Sequence, residues 1–286
     1  VVIALGANFP DNCKSWIKKA LMTFVENKCF YITGLFAAVG LKYFYSSADA
    51  DALKWILTPV ARLVTMLNSM SFEWESHAGF VNHYHGVVIA PACAGVNFLI
   101  ICFATIFFTF VSRIKGGGAK CGWFAVSVIT AYLIAIFANT MRIIISIFLY
   151  GAPIYGGPVT PGRVHELAGT LIFIFVLVGT YMFVERIILR FHCPAPRLFT
   201  AVSRGSGRGN VSIAVLFAPF AWYVLVTVIV PLLNGAAVKY GAGFSEHSFI
   251  VLIVCGFLFP ASVTLLFLAK KNVDRLNKTK EKEADG

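Results

Sequence analysis

Residues 88–112 read VIAPACAGVNFLIICFATIFFTFVS, a run without a single charge that ends on Arg113. Within it, 20 residues separate Cys93 from Arg113. At 1.5 Å per helical residue that is roughly 30 Å, about the thickness of a bilayer's hydrocarbon core. The same length recurs twice more. Arg142 lies 22 residues after Lys120, and His165 lies 21 residues before Arg186. If the basic ends mark one face of a membrane, then a thiol, a guanidinium and an imidazole meet the other face at one depth. A nucleophile, a fixed cation and a base at one level make a candidate active site.

Composition points the same way. The 286 residues are 58% hydrophobic and 15% aromatic, with only 13% charged and a mean hydropathy of +0.80. A soluble domain carries about 25% charged residues, so this chain lacks the polar surface to cover itself in water. Apolar runs stand at 29–46, 88–112, 122–150, 166–189 and 249–269, with a sixth at 211–233 that contains Pro219 and Pro231. The net charge of +11 suggests a nucleic-acid partner until its distribution is read, because 18 of the 24 Lys and Arg fall in the stretches 14–28, 113–120, 186–208 and 270–282. Threading six spans alternately across a bilayer puts all four stretches on one side, which the positive-inside tendency makes cytoplasmic. The charge sets topology, and no nucleic acid is expected.

The predicted fold class is therefore all-α: a polytopic membrane helical bundle of about six spans. Residues 1–28 are expected as a cytoplasmic N-terminal segment, 29–269 as a single integral membrane domain and 270–286 as a cytoplasmic tail. Residues 1–10 lack the basic region and cleavage site of a secretory signal peptide. The segment 53–70 is different in kind. Leu53, Ile56, Leu57, Val60, Leu63, Val64, Leu67 and Met70 recur at helical spacing, opposite Lys54, Thr58, Arg62, Thr65 and Ser69. If it crossed, the basic stretches would fall on opposite sides. It reads as an amphipathic helix in the outer interface, or one dipping partway in. An outer loop with Glu73, Glu75, His77, His83 and His85 follows it. The glycines at 116–118 lack the Lys-Ser/Thr and strand–helix setting of a phosphate loop, and read as a cytoplasmic turn.

The seven cysteines sort by position. Cys13, Cys29, Cys121 and Cys193 fall on the cytoplasmic side, where disulfides seldom persist. Cys102 and Cys255 lie within spans, and no Cys/His spacing suggests a metal. Only Cys93 stands at the outer boundary. Pro91-Ala92-Cys93-Ala94-Gly95 places it where the extended stretch 86–90 turns into a helix, whose N-terminus favours thiolate. An ordinary proline-initiated helix start accounts for the same residues. Arg142 follows Asn139 by three residues, so both project from one helical face. An arginine at that depth is costly unless it is paired or lines a wet cavity. Snorkelling to headgroups is the plainer reading. His165 follows a Pro/Gly-rich loop at 156–162 and is expected to open the helix 165–189, with Glu166 a first-turn acid. His77, His83 and His85 are rivals for the role of base.

Three motifs now carry a resemblance. Val88-Ile89-Ala90-Pro91-Ala92-Cys93-Ala94-Gly95-Val96-Asn97-Phe98-Leu99 resembles the cysteine motif of the exosortase/archaeosortase family. Asn139-Thr140-Met141-Arg142 resembles its arginine motif, and His165-Glu166-Leu167-Ala168-Gly169 its histidine motif. Order and spacing fit over about residues 50–190, the expected catalytic part. Ala94 departs from the serine more usual after the family's cysteine. Cys-Ala-Gly-Val-Asn-Phe-Leu is similar to the K-type exosortases. Residues 200–286 carry no motif.

The resemblance implies a membrane-embedded cysteine protease and transpeptidase of a prokaryotic inner membrane, active on the extracytoplasmic face, with both termini cytoplasmic. Its partners would be exported proteins bearing C-terminal sorting signals of the PEP-CTERM kind, made of a short motif, a transmembrane helix and a basic tail. The cut chain would pass to an acceptor molecule. Cys93 would be the nucleophile, His165 the base and Arg142 the oxyanion stabiliser, helped by backbone N–H groups near Ala94 and Gly95, with Asn139 orienting Arg142 or substrate. No metal or organic cofactor is required. Two alternatives share these residues: an intramembrane Cys–His hydrolase that uses water as acceptor, and a transporter binding an anionic solute at Arg142. The inverted repeats that would favour a transporter are absent from the sequence.

Overall fold

The computed structural model describes residues 11–157, 159–191 and 213–284. Pro158, Cys193, Arg197, Arg204 and Arg208, together with residues 1–10, lie outside the described residues, and so do the expectations placed on them. The chain divides into two compact units, Val1–Ala201 and Val202–Gly286. The sequence reading had put 29–269 in one domain.

The first unit holds helices α1 (Asp11–Ser47), α2 (Lys54–Asn68), α3 (Val96–Phe110), α4 (Gly117–Tyr150) and α5 (Pro161–Phe191). The central element is α3. In the apolar 18-residue stretch of the span Pro91–Arg113, 78% of residues are buried, against 28% in that of Gly117–Tyr150 and 39% in that of Pro161–Ile188. Its residues are apolar all round, which is why it occupies the middle, packed by α1, α4 and α5. Phe103 and Phe107 stack 5.3 Å apart and meet Phe124 of α4 edge-on. Ala131, Ala135 and Ala138 of α4 are fully buried, and these small side chains let helices approach closely in a bilayer. At the basic end Arg113 reaches Glu185 of α5 at 3.6 Å.

Among the described residues four helices are long and apolar enough to cross a membrane: Pro91–Arg113, Gly117–Tyr150, Pro161–Ile188 and Gly241–Thr264. The other two of the six runs fare differently. Run 29–46 lies in the continuous 37-residue helix α1, where Lys42 and the tyrosines dilute it. Run 211–233 reaches only the shorter apolar helix Phe217–Leu233. There α6 (Ile213–Val224) passes through a π-turn at Leu225–Ile229 into α7 (Val230–Leu233), as prolines interrupt the ladder. In the second unit α6 and α7 pack on α8 (Ala236–Ala284), which bends at Gly241. The chain is an integral membrane protein built as a helical bundle.

The amphipathic helix at 53–70 appears as α2, with 15 residues and no candidate span. Leu53, Ile56, Leu57, Val60 and Val64 are fully buried against α4 and the sheet below, while Leu67 at its C-terminal end is exposed. Trp55 stacks on Tyr132 of α4, whose hydroxyl donates to the Trp55 carbonyl at 2.9 Å. One departure from an all-α chain follows α2. Strands β1 (Glu73–Glu75), β2 (Gly79–Asn82) and β3 (Val87–Ile89) form an antiparallel sheet in the order β1-β2-β3. Glu73 pairs with Val81, and Val81 with Val88. Asn82, buried, donates to the Ser71 carbonyl at 2.6 Å and accepts from the His85 N–H at 2.7 Å, which closes the second turn. The sheet delivers the chain through Ala90 directly into the cysteine turn.

Candidate active site

Cys93 ends a single 3-10 turn, Pro91–Cys93, rather than beginning α3 itself. Proline fits there because its fixed φ suits a first turn and its missing N–H has no partner to lose. The Cys93 N–H donates to the Ala90 carbonyl at 2.8 Å, and the Ala94 N–H to the Pro91 carbonyl at 3.0 Å. Of the amides expected to face an oxyanion, that of Ala94 is therefore spent on the turn. The first bond of α3 runs from the Leu99 N–H to the Gly95 carbonyl, so the amides of Val96, Asn97 and Phe98 head the helix. Between turn and helix stands Gly95 at φ 73°, a left-handed conformation that glycine adopts without strain.

Asn139 holds this turn from the side. It is fully buried on α4, and its Nδ2 donates to the Cys93 carbonyl. A Cβ on Gly95 would lie 3.2 Å from Asn139 Cγ, so the glycine also makes room for the asparagine. The sequence reading expected Asn139 to orient Arg142 or substrate. Its amide instead fixes the backbone that carries the thiol.

Arg142 follows one turn later on the same face of α4. Its guanidinium lies over the Phe173 ring of α5, 5.3 Å from the centroid, and Phe173 stacks on Phe98 of α3 at 4.3 Å. A Cβ on Gly169 would come within 3.0 Å of Arg142 Cδ, so that glycine gives the arginine stem its passage. The aromatic face supplies cation–π attraction without consuming an N–H, which leaves the donor fork available. Among the described residues no carboxylate pairs with Arg142, and its Nε has no hydrogen-bond partner.

His165 does not open its helix. Thr160 caps the N–H of Arg163 at 3.4 Å, Pro161 takes the first helical position, and α5 starts there. That leaves His165 and Glu166 in the second turn, where the N-terminal dipole has largely faded. Ser146 of α4 takes over the positioning, with Oγ 2.8 Å from His165 Nδ1. In the tautomer that donates Nδ1–H to Ser146, Nε2 carries the free lone pair.

Helix α4 thus gathers the three elements. Asn139, Arg142 and Ser146 stand at i, i+3 and i+7 on one face, spanning roughly 10 Å along the axis. The first grips the cysteine turn, the last grips the histidine, and the arginine lies between them. The rival histidines are engaged elsewhere: His77 and His83 reach Glu75 at 3.4 and 2.9 Å, and His85 Nδ1 lies 3.1 Å from Asn82 Oδ1. Ser146, Gly169 and Phe173 escaped the sequence reading as site residues. Gly169 closes the histidine motif, and Ser146 lies four residues after Arg142 on the same stripe. Among the described residues no three His, Cys, Asp or Glu side chains gather to hold a metal ion.

Residues 25–182, more than half of the chain and including Cys93, Arg142 and His165, match the transmembrane exosortases. No curated protein and no solved structure matches. The chain belongs to the transmembrane exosortase family.

Proposed function

We propose that this exosortase is a cysteine transpeptidase that cuts C-terminal sorting signals from exported proteins at the outer face of a prokaryotic inner membrane. What carries the proposal is the bridge along α4: Asn139 on the Cys93 carbonyl, Ser146 on the His165 ring, and Arg142 between them. Both termini are cytoplasmic in this arrangement, and the catalytic part is about residues 50–190.

The chemistry runs in two balanced halves. His165 Nε2 takes the Cys93 proton, and the thiolate attacks the scissile carbonyl carbon. A C–S bond forms while the carbonyl π pair moves onto oxygen, where the Arg142 guanidinium meets the charge. Collapse breaks the C–N bond, and the imidazolium gives its proton to the departing amine. The signal helix leaves, and the exported chain remains as a thioester on Cys93. An acceptor nucleophile then loses its proton to His165, attacks the thioester, and releases the thiol.

The test is processing of a reporter that carries a cognate C-terminal signal. Cys93→Ala abolishes processing at normal protein level, while Cys102→Ala and Cys255→Ala process near the wild-type rate. The size of the product separates transfer from hydrolysis. A Cys93→Ala variant that still processes would rule out nucleophilic catalysis at this position.

A further inference from the structure

We propose that Lys42 of α1 is a positioning residue for the nucleophile: its ammonium grips Asn97 on the α3 side of Gly95 and, with Asn139 on the other side, fixes the direction of the Cys93 thiol. The proposal rests on the cysteine-transpeptidase reading above and brings in a helix to which that reading gives no part.

Gly95, left-handed at φ 73°, is the joint between the cysteine turn and α3. Glycine has the widest backbone freedom of any residue, so the direction of the thiol depends on what holds the chain on either side. Two residues before the joint, the Cys93 carbonyl accepts from Asn139 of α4. Two residues after it, Asn97 Oδ1 accepts from Lys42 Nζ at 2.6 Å. The two grips come from different helices and bracket the joint. A hydrogen bond from an ammonium is about twice as strong as one between neutral groups. In lipid no hydrophobic force drives helix against helix, so such directional bonds help decide how one is turned against the next.

Lys42 stands five residues before the end of α1, where snorkelling to headgroups would be its plain use. Its ammonium is bound to α3 instead. Its partners among the described residues are Asn97 and the Tyr45 ring, whose centroid is 5.8 Å from Nζ, and no carboxylate. A half-buried lysine without a counter-ion, inside the apolar run 29–46, is a functional candidate by default. Earlier in α1 a Cβ on Gly34 would strike the Phe107 ring, so the helix lies directly against α3. A bond of the same type fastens the other half of α1, where Lys120 of α4 donates to Asn27 Oδ1 at 2.5 Å. That bond brackets no joint of the site, which makes it an internal control.

Purified variants are compared for association with uncleaved reporter, for single-turnover formation of the Cys93 thioester per folded molecule, and for melting temperature. Lys42→Met and Asn97→Leu each slow thioester formation on the order of 10–10²-fold with reporter association unchanged, the effect of a misdirected nucleophile. The double variant is no slower than the slower single one, because both substitutions remove the same bond. Lys42→Arg, which keeps a charged donor, restores most of the rate. Lys120→Met lowers the melting temperature and leaves the rate unchanged. A wild-type rate in Lys42→Met overturns the inference and returns the lysine to anchoring. Should Lys42→Met fold poorly, Asn97→Leu reads the same bond from α3, and a wild-type rate there is equally fatal. Losses that multiply in the double variant overturn it as well, since the two residues would then act apart. So does lost reporter association in Lys42→Met, which makes the lysine a binding group, or equal slowing in Lys120→Met, which makes any brace on α1 sufficient. A Cys93→Ala variant that still processes sinks the underlying reading instead, so the two failures are distinguishable.

Discussion

At Arg142 a guanidinium sits in an apolar helix with no carboxylate beside it among the described residues. Such a group costs several kcal/mol in a bilayer unless it finds partners. Here the ring of Phe173 and the gap at Gly169 turn it toward α5, into the bundle. Snorkelling needs only length and charge, so an anchoring role would tolerate lysine. A compact ammonium has neither the planar face for Phe173 nor the donor fork for an oxyanion. Arg142→Lys is therefore expected to lose about 10²–10³-fold in processing rate, the cost of one oxyanion donor, while reporter still associates. Processing of the reporter, run beside binding of its uncleaved form, checks this. Wild-type processing in the lysine variant would make the arginine structural. Asn139 and Arg142 were legible in the sequence because their spacing and depth are local properties of one helix. Ser146 was not, since a serine in an apolar helix is ordinary until another helix brings a histidine to it.

At the scale of elements, the cysteine turn depends on one glycine. Gly95 combines φ 73° with a Cβ position 3.2 Å from Asn139 Cγ. Gly95→Ala should cost about 1–2 kcal/mol for the left-handed conformation alone. It should also displace Asn139 from the Cys93 carbonyl. The expected outcome is a lowered melting temperature in detergent and at least about a tenfold drop in processing, with insertion intact. Thermal unfolding and reporter processing measure the two effects separately, and an unchanged rate would show that the turn's geometry is not needed. The spans were legible because apolar runs of bilayer length have few other meanings. The sheet was not, for its strands are three or four residues long and half-buried, too short for a period to show. The start of α5 was misplaced because Pro161 and Gly162 read as loop, whereas proline is well suited to a first helical position.

Across the whole molecule, charge and function divide along the chain. The family match, 25–182, falls entirely within the first compact unit, which also holds every residue proposed here for chemistry. Residues 202–286 form a unit of their own without a motif, and apolar length alone could not reveal that division. The proposed orientation places Cys93 outside, and Cys121 near the basic turn inside. The most direct measurement is treatment of spheroplasts with a membrane-impermeant thiol reagent, with the modified cysteines identified by mass and reporter processing followed in the same sample. The account predicts that Cys93 is modified from outside, that processing stops in proportion, and that Cys121 reacts only after permeabilisation. Modification of Cys121 from outside, or full processing with Cys93 modified, would contradict it.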